Sequence, residues 1–299
     1  MRAWYSDSYA VPLPEGHRFP MGKYRLVRER LLALGVLSAE QLEEAEPVGR
    51  QALHRVHTEA YVRACFDGTL DEAALRRVGF PWSKALLERS LASAGGTLSA
   101  ARWALTHGAA GNLAGGTHHA HADFGSGYCV FNDLAVTASA LLEERQVERV
   151  LVVDLDVHQG DGTAAIFQRE PRVFTFSMHG AKNFPFRKQV SSRDVELPDG
   201  CDDAHYLALL DEHLPEVFEA FAPSLVLYQA GVDALKEDTL GRLHLTHEGL
   251  RARDRRVFDL CWSRAAPVVV TLGGGYARPI EASVEASVGT WVELRRRFG

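Results

Sequence analysis

Cysteine is scarce in this 299-residue chain, and the four present, Cys65, Cys129, Cys201 and Cys261, stand far apart with no C-x-x-C pair. That spacing excludes a disulfide framework and a thiolate metal site, and predicts reduced thiols in a cytoplasmic protein. No apolar run reaches membrane-spanning length, and the N-terminus, opening Met1-Arg2-Ala3-Trp4-Tyr5-Ser6-Asp7, lacks the apolar core and small-residue cleavage position of a secretory leader. The expected protein is soluble and unprocessed. Concentrated positive charge is missing too: the formal net charge is -6, spread along the chain with no basic stripe to track phosphates. Nucleic acid and membrane are therefore not expected partners, whereas the acidic balance is read as tolerating cationic substrates. Linkers rich in Pro, Ser or Gly, internal repeats and low-complexity tracts are also absent, which predicts one domain over residues 1–299. A hydrophobic content of 46% is ample for its core.

Short apolar runs at Val150–Leu155, Val173–Ser177, Leu225–Gln229 and Val268–Leu272 read as buried parallel strands. Helical spacing at Leu134–Arg145, Tyr206–Phe221 and Leu250–Ala265 alternates with them, as in a doubly wound α/β sheet. The first third shows only helical patterns, at Tyr24–Leu34, Thr58–Phe66 and Leu86–Thr106, the last interrupted by Gly95-Gly96. In such sheets ligands bind beyond the carboxyl ends of the strands, which is where the polar motifs fall.

The strongest motif is Asp154-Leu155-Asp156-Val157-His158-Gln159-Gly160-Asp161-Gly162, where an apolar strand runs into three acids, an imidazole and two glycines. Burying several carboxylates together costs several kcal/mol unless a cation compensates them, so the cluster implies a metal or a dense hydrogen-bond network. Asp156 and His158 are two residues apart and leave one face of extended chain together. Alone, that pair also reads as a strand-end cap with a buried histidine. A second strand, Leu225–Gln229, delivers Asp233 just past its end, completing a three-ligand set that leaves a position for water.

Two further segments supply catalytic chemistry. Gly115-Gly116-Thr117-His118-His119-Ala120-His121 places adjacent histidines after a double glycine. Neighbouring side chains reach one pocket only if the glycines permit an unusual backbone, and the alternative is a surface loop that binds metal adventitiously. Gly273-Gly274-Gly275-Tyr276 ends a strand in a glycine turn with a phenol that can donate to an oxyanion. His54 and His57 read as structural, Thr246 between His244 and His247 as a helix N-cap, and Cys129 as a small buried thiol.

Taken together these segments resemble the histone deacetylase superfamily, which includes acetoin-utilisation proteins and acetylpolyamine amidohydrolases. The resemblance rests on G-G-T-H-H-A, G-S-G-Y-C-V-F-N-D, D-L-D-V-H-Q-G-D-G, F-S-M-H, Q-A-G-V-D and G-G-G-Y in the family's order. L-H-R-V-H-T-E-A-Y and Gly79-Phe80-Pro81-Trp82-Ser83 are most similar to class IV deacetylases and their bacterial relatives. It implies an arginase-like α/β fold with a central eight-stranded parallel sheet flanked by helices, and one zinc ion per chain on Asp156, His158 and Asp233. It further implies His119 as general base and acid, His118 as electrostatic partner, Asp154 and Asp161 orienting the two histidines respectively, and Tyr276 stabilising the oxyanion. A structural K+ or Na+ near the zinc is implied on Asp154, Asp156, His158 and Ser177. The acyl tunnel is expected along Gly127, Tyr128, Phe184, Phe186 and Leu240. His17 resembles an early family histidine near the pocket floor. Gln159 stands where many relatives carry a second histidine, and no rim acid that would anchor a peptide backbone can be placed.

The expected activity is hydrolysis of an acylated amine, such as acyl-lysine or an acylated polyamine, by metal-activated water. A two-manganese ureohydrolase is the rival enzyme, disfavoured because only Asp233 follows the Leu225 strand where two ions would want a D-x-D pair. The non-enzymatic rival is a sensor that captures acyl-amines without turnover.

Overall fold

The apolar runs identified in the sequence pair edge to edge in the computed structural model, which describes residues 1–9 and 11–299. The strands are β1 (Arg2–Tyr5), β2 (Leu42–Glu44), β3 (Ala109–Asn112), β4 (Val150–Asp154), β5 (Val173–Gly180), β6 (Arg193–Leu197), β7 (Leu225–Gln229) and β8 (Val268–Thr271). They form one all-parallel sheet in the order β2-β1-β3-β8-β7-β4-β5-β6. The helices are α1 (Lys23–Ala33), α2 (Arg50–Leu53), α3 (Glu59–Asp67), α4 (Glu72–Val78), α5 (Lys84–His107), α6 (Asp133–Glu143), α7 (Asp161–Phe167), α8 (Asp203–Phe221), α9 (His247–Ser263) and α10 (Glu281–Phe298).

Alternation along the strands divides the core in two. Leu151, Val153, Val226, Tyr228, Val268 and Val270 pack with side chains of α1, α8, α9 and α10. Val150, Val152, Leu225, Leu227 and Val269 point the other way, into a second core with α3, α5 and α6. A strand covered on both faces must be apolar at every position, which is why the central strands stand out as unbroken runs.

Two expectations for the first third are corrected. It contributes two strands, β1 and β2, as well as helices, and β3 just after it escaped notice because Ala109-Ala110-Gly111-Asn112 carries no bulky residue. A Cβ on Gly111 would lie 2.8 Å from the Trp291 ring, so smallness there admits a large neighbour. Nor does Gly95-Gly96 interrupt a helix: α5 runs through both. A Cβ on Gly95 would sit 1.9 Å from the Glu46 carbonyl oxygen, so the glycines let the preceding loop cross the helix closely. As expected, Thr246 caps α9, its hydroxyl accepting from the Gly249 amide at 3.0 Å.

The register explains where the site lies. Asn112, Thr271, Gln229, Asp154 and Ser177 are level across β3-β8-β7-β4-β5, so five adjacent strands carry a polar residue at one height. The motifs begin on or just beyond that row.

Candidate metal centre and active site

The double glycine turns the chain above β3 with φ of +77° at Gly115 and +74° at Gly116, a left-handed pair that side chains resist. A Cβ on Gly116 would meet Gln229 Oε1 at 2.0 Å, whereas the glycine carbonyl accepts from Gln229 Nε2 at 2.7 Å. Asp133 fixes the same turn, accepting from the amides of Gly116 and Thr117 at 3.0 and 2.7 Å. The result is that His118 and His119 enter one pocket, ring centroids 4.1 Å apart, both buried.

Their carboxylate partners are those expected. His118 Nδ1 donates to Asp154 Oδ2 at 2.7 Å and His119 Nδ1 to Asp161 Oδ1 at 2.6 Å. Burial resists charging either ring. Asp154 and Asp156 outweigh it at His118, raising its pKa to about 9. At His119 burial wins, and the neighbouring charge of His118 adds to it, lowering the pKa to about 4. The pair is thus split into a charged and a neutral imidazole at neutral pH.

Asp156, His158 and Asp233 converge beside them, with ligand atoms all within 4.8 Å of one another. Each carboxylate is held by backbone: Asp156 Oδ2 accepts from the Gly274 amide at 2.8 Å, and Asp233 Oδ1 from the Val157 amide at 2.9 Å. A Cβ on Gly274 would lie 2.0 Å from Asp233 Oδ2, so the glycine run serves close approach to the two acids. His158 Nδ1 lies 3.1 Å from Asp156 Oδ1 and 3.0 Å from Asp233 Oδ2.

The residues fit a metal ion on this geometry. Two fully buried acids share one imidazole, and they outweigh its burial to raise the His158 pKa to about 10. Burial, then the Asp156 charge, lifts Asp233 to about 7. Two carboxylate oxygens and one imidazole nitrogen, buried and this close together, are a zinc-type donor set. Ser177 lies opposite Asp154 in register, and its hydroxyl is within 2.9 Å of His179 Nδ1.

The five tunnel residues line one cavity of about 420 Å3 that reaches His119, His158 and Tyr276. Phe184 stacks edge-on against His119 with centroids 5.0 Å apart, and a Cβ on Gly127 would touch both rings. Phe186, by contrast, is 84% exposed, so it belongs to the outer lip and not to a closed wall. His17 is also away from the floor: its Nε2 is bonded to the Gly79 carbonyl at 3.0 Å and it stacks on Phe80. Gln159 clamps a loop, donating to the Gln189 carbonyl and to Asp194 at 2.7 and 2.8 Å.

Several contributors carried no signal strong enough to be assigned from sequence. His121 Nε2 gives Asp161 a second histidine partner at 3.1 Å, and the H-H-A-H pattern was the available clue. Asp238 accepts from the Tyr276 amide at 2.6 Å and so sets the phenol's backbone. Buried Lys23 donates to the Gly273 carbonyl at 3.0 Å, its pKa lowered by burial to about 8. In sequence Lys23 is one more cation opening a helix.

Residues 17–291 match the family profile described as the histone deacetylase domain. The chain is 48% identical over 276 residues to an uncharacterised protein of Picosynechococcus, covering 92% of each. It is 30% identical over 298 residues to histone deacetylase 2 of Arabidopsis thaliana, covering 94% of this chain and 77% of the relative. The crystal structure of a histone deacetylase homologue from Aquifex aeolicus superposes with a TM-score of 0.85 at 25% identity, over 99% of this chain and 84% of that one.

Proposed function

Because the chain belongs to the histone deacetylase family, we propose that it is a zinc-dependent deacylase, an amide hydrolase that frees an amine from an acyl-lysine, an acylated polyamine or a similar metabolite. The observation that carries the reading is the buried convergence of Asp156, His158 and Asp233 beside His119, at the end of a cavity open to the surface.

When bound, the ion supplies Lewis acidity that polarises an amide carbonyl and makes water more acidic. His119 takes the proton of the attacking water, its Nε2 left unprotonated by burial and by the adjacent charge while Asp161 holds Nδ1. His118, kept charged by Asp154, favours the negative charge that builds up beside it. Tyr276 donates its phenolic proton in a hydrogen bond to the tetrahedral oxyanion; burial raises its pKa well above the usual value, so the donor stays protonated. His119 then returns the proton to the departing amine, leaving a carboxylate and a free amine. Gly127, Tyr128, Phe184 and Leu240 guide the acyl chain, and a K+ or Na+ on Asp154, Asp156, His158 and Ser177 would brace the strand end.

A single-ion site is preferred over a two-manganese one because, among the described residues, one group of three ligating side chains is close enough to share an ion. The deciding experiment loads the chain with zinc and measures amine release from acetylated, propionylated and long-chain acylated lysine peptides and acetylpolyamines. Turnover of at least one supports the deacylase. Tight binding with no amine released from any would replace it with a sensor.

A further inference from the structure

The charged lining of the cavity mouth is entirely cationic among the described residues: Arg18, Arg76, Arg77, Lys182 and Arg242, all exposed. Four separate stretches of chain bring them together, ahead of α1, at the end of α4, beyond β5 and beyond β7. This is the reverse of the whole molecule, whose formal charge is -6. Net charge is a sum over the surface, whereas a substrate meets the local field.

Ion pairing relieves only part of the concentration. Arg76 pairs with Glu72 at 3.1 Å one helical turn away, and Lys182 and Arg242 share Asp199 at 3.8 and 3.3 Å. Arg18 and Arg77 have no carboxylate within ion-pair distance among the described residues, and Arg77 lies instead 4.7 Å over the Phe124 ring. Among the lining cations and the acids paired with them, two acids stand against five cations. The loop from Lys182 to Lys188, which carries Phe184, contains no acid at all.

Resting on the deacylase reading, we propose that the substrate carries negative charge on its amine side, as carboxylates or phosphates close to the acylated nitrogen. The acyl carbonyl must reach the ligating side chains at the floor, so the part left at the mouth is whatever bears the amine. A polyamine or an arginine- and lysine-rich segment would add its cations to these five. An acidic peptide, or a small acylated amine bearing a carboxylate or phosphate, would replace the missing counter-charge.

The test measures kcat/KM of the zinc-loaded chain on acetyl-lysine peptides of equal length flanked by Asp and Glu, by neutral residues, or by Lys and Arg. N-acetylputrescine and the acetylated monoamines of an amino acid and a phosphate ester form a second arm. The proposal expects acidic peptides to exceed basic ones by about tenfold at low salt, with the ratio collapsing toward one at high salt. In the double variant Arg18→Glu with Arg77→Glu the order should invert, each rate being read relative to the neutral peptide in the same variant. Preference shared by peptides and anionic monoamines assigns recognition to the anionic group itself, and preference confined to peptides assigns it to an acidic segment. Equal rates for the three peptides, or faster turnover of basic ones, would overturn the proposal and leave the deacylase standing. If no substrate is turned over, the deacylase reading fails, and fluorescence anisotropy of the same labelled peptides still decides the rim: tighter acidic binding supports it and equal binding overturns it.

Discussion

At the floor of the cavity Asp156 and Asp233 are 1% and 0% exposed, and a backbone amide holds each, whereas at the mouth Phe186 is 84% exposed and the arginines find few partners. The floor rises from a row of polar residues level across five strands, and its side chains sit on the segments that leave those strands, so they are anchored close to the sheet. The mouth is built from loops and the end of a short helix. A reaction demands groups held within a fraction of an ångström, which strand ends provide, while selecting a carrier demands only a field and a shape, which loops can vary. On the deacylase proposal, the contrast would make the chemistry and the choice of substrate separable in this molecule.

The largest effect should come from the floor. Asp233→Ala or His158→Ala removes one of the three side chains proposed to hold the ion, so metal retained after gel filtration should fall sharply and activity with it. Tyr276→Phe keeps all three ligands and should retain the metal while kcat falls on the order of 10²- to 10³-fold. Elemental analysis beside kinetics separates the two classes, and equal activity in all three variants would refute the assignment of roles.

The same contrast explains what could be read from the sequence. Central strands announce themselves because burial on both faces forces unbroken apolar runs, and Asp-x-His after one such run points to a metal once Asp233 follows a second. β3 is silent because its residues are small, Gly111 leaving room for the Trp291 ring, and β2 because Leu42-Glu43-Glu44 lies at the sheet edge, only partly buried. Lys23 and Asp238 act through contacts 250 and 38 residues distant in the chain, which no local pattern reveals. Composition averages charge, so acids distributed elsewhere concealed the five cations that only folding assembles at the mouth.

Beneath the histidine loop lies a group that tests stability apart from catalysis. His57 Nδ1 donates to the His121 carbonyl at 2.9 Å, and Nε2 accepts from the Asn132 amide at 3.0 Å, so both nitrogens are committed in the neutral form. Burial lowers its pKa from 6.5 to about 4. A depressed folded-state pKa means the unfolded chain binds the proton first, so this contribution is complete above pH 6.5 and is lost as pH falls toward 4. Its full size is roughly 3 kcal/mol. Denaturant titrations between pH 7 and 4.5 should show stability falling, with a shallower slope in His57→Gln. An identical slope in the variant would remove His57 from the account.

The smallest effect is expected at the outermost aromatic. The Phe186 ring is 6.4 Å from that of Phe184 and otherwise faces solvent, so truncation creates no cavity. Phe186→Ala should change stability by no more than about 0.5 kcal/mol and kcat/KM on a neutral peptide by no more than about threefold. Phe184→Ala, which strips the ring packed on His119, should cost clearly more in kcat/KM. A tenfold loss in Phe186→Ala with stability intact would mean that the lip closes over the substrate once it is bound, and the mouth would then share in positioning that the present contrast gives to the floor alone.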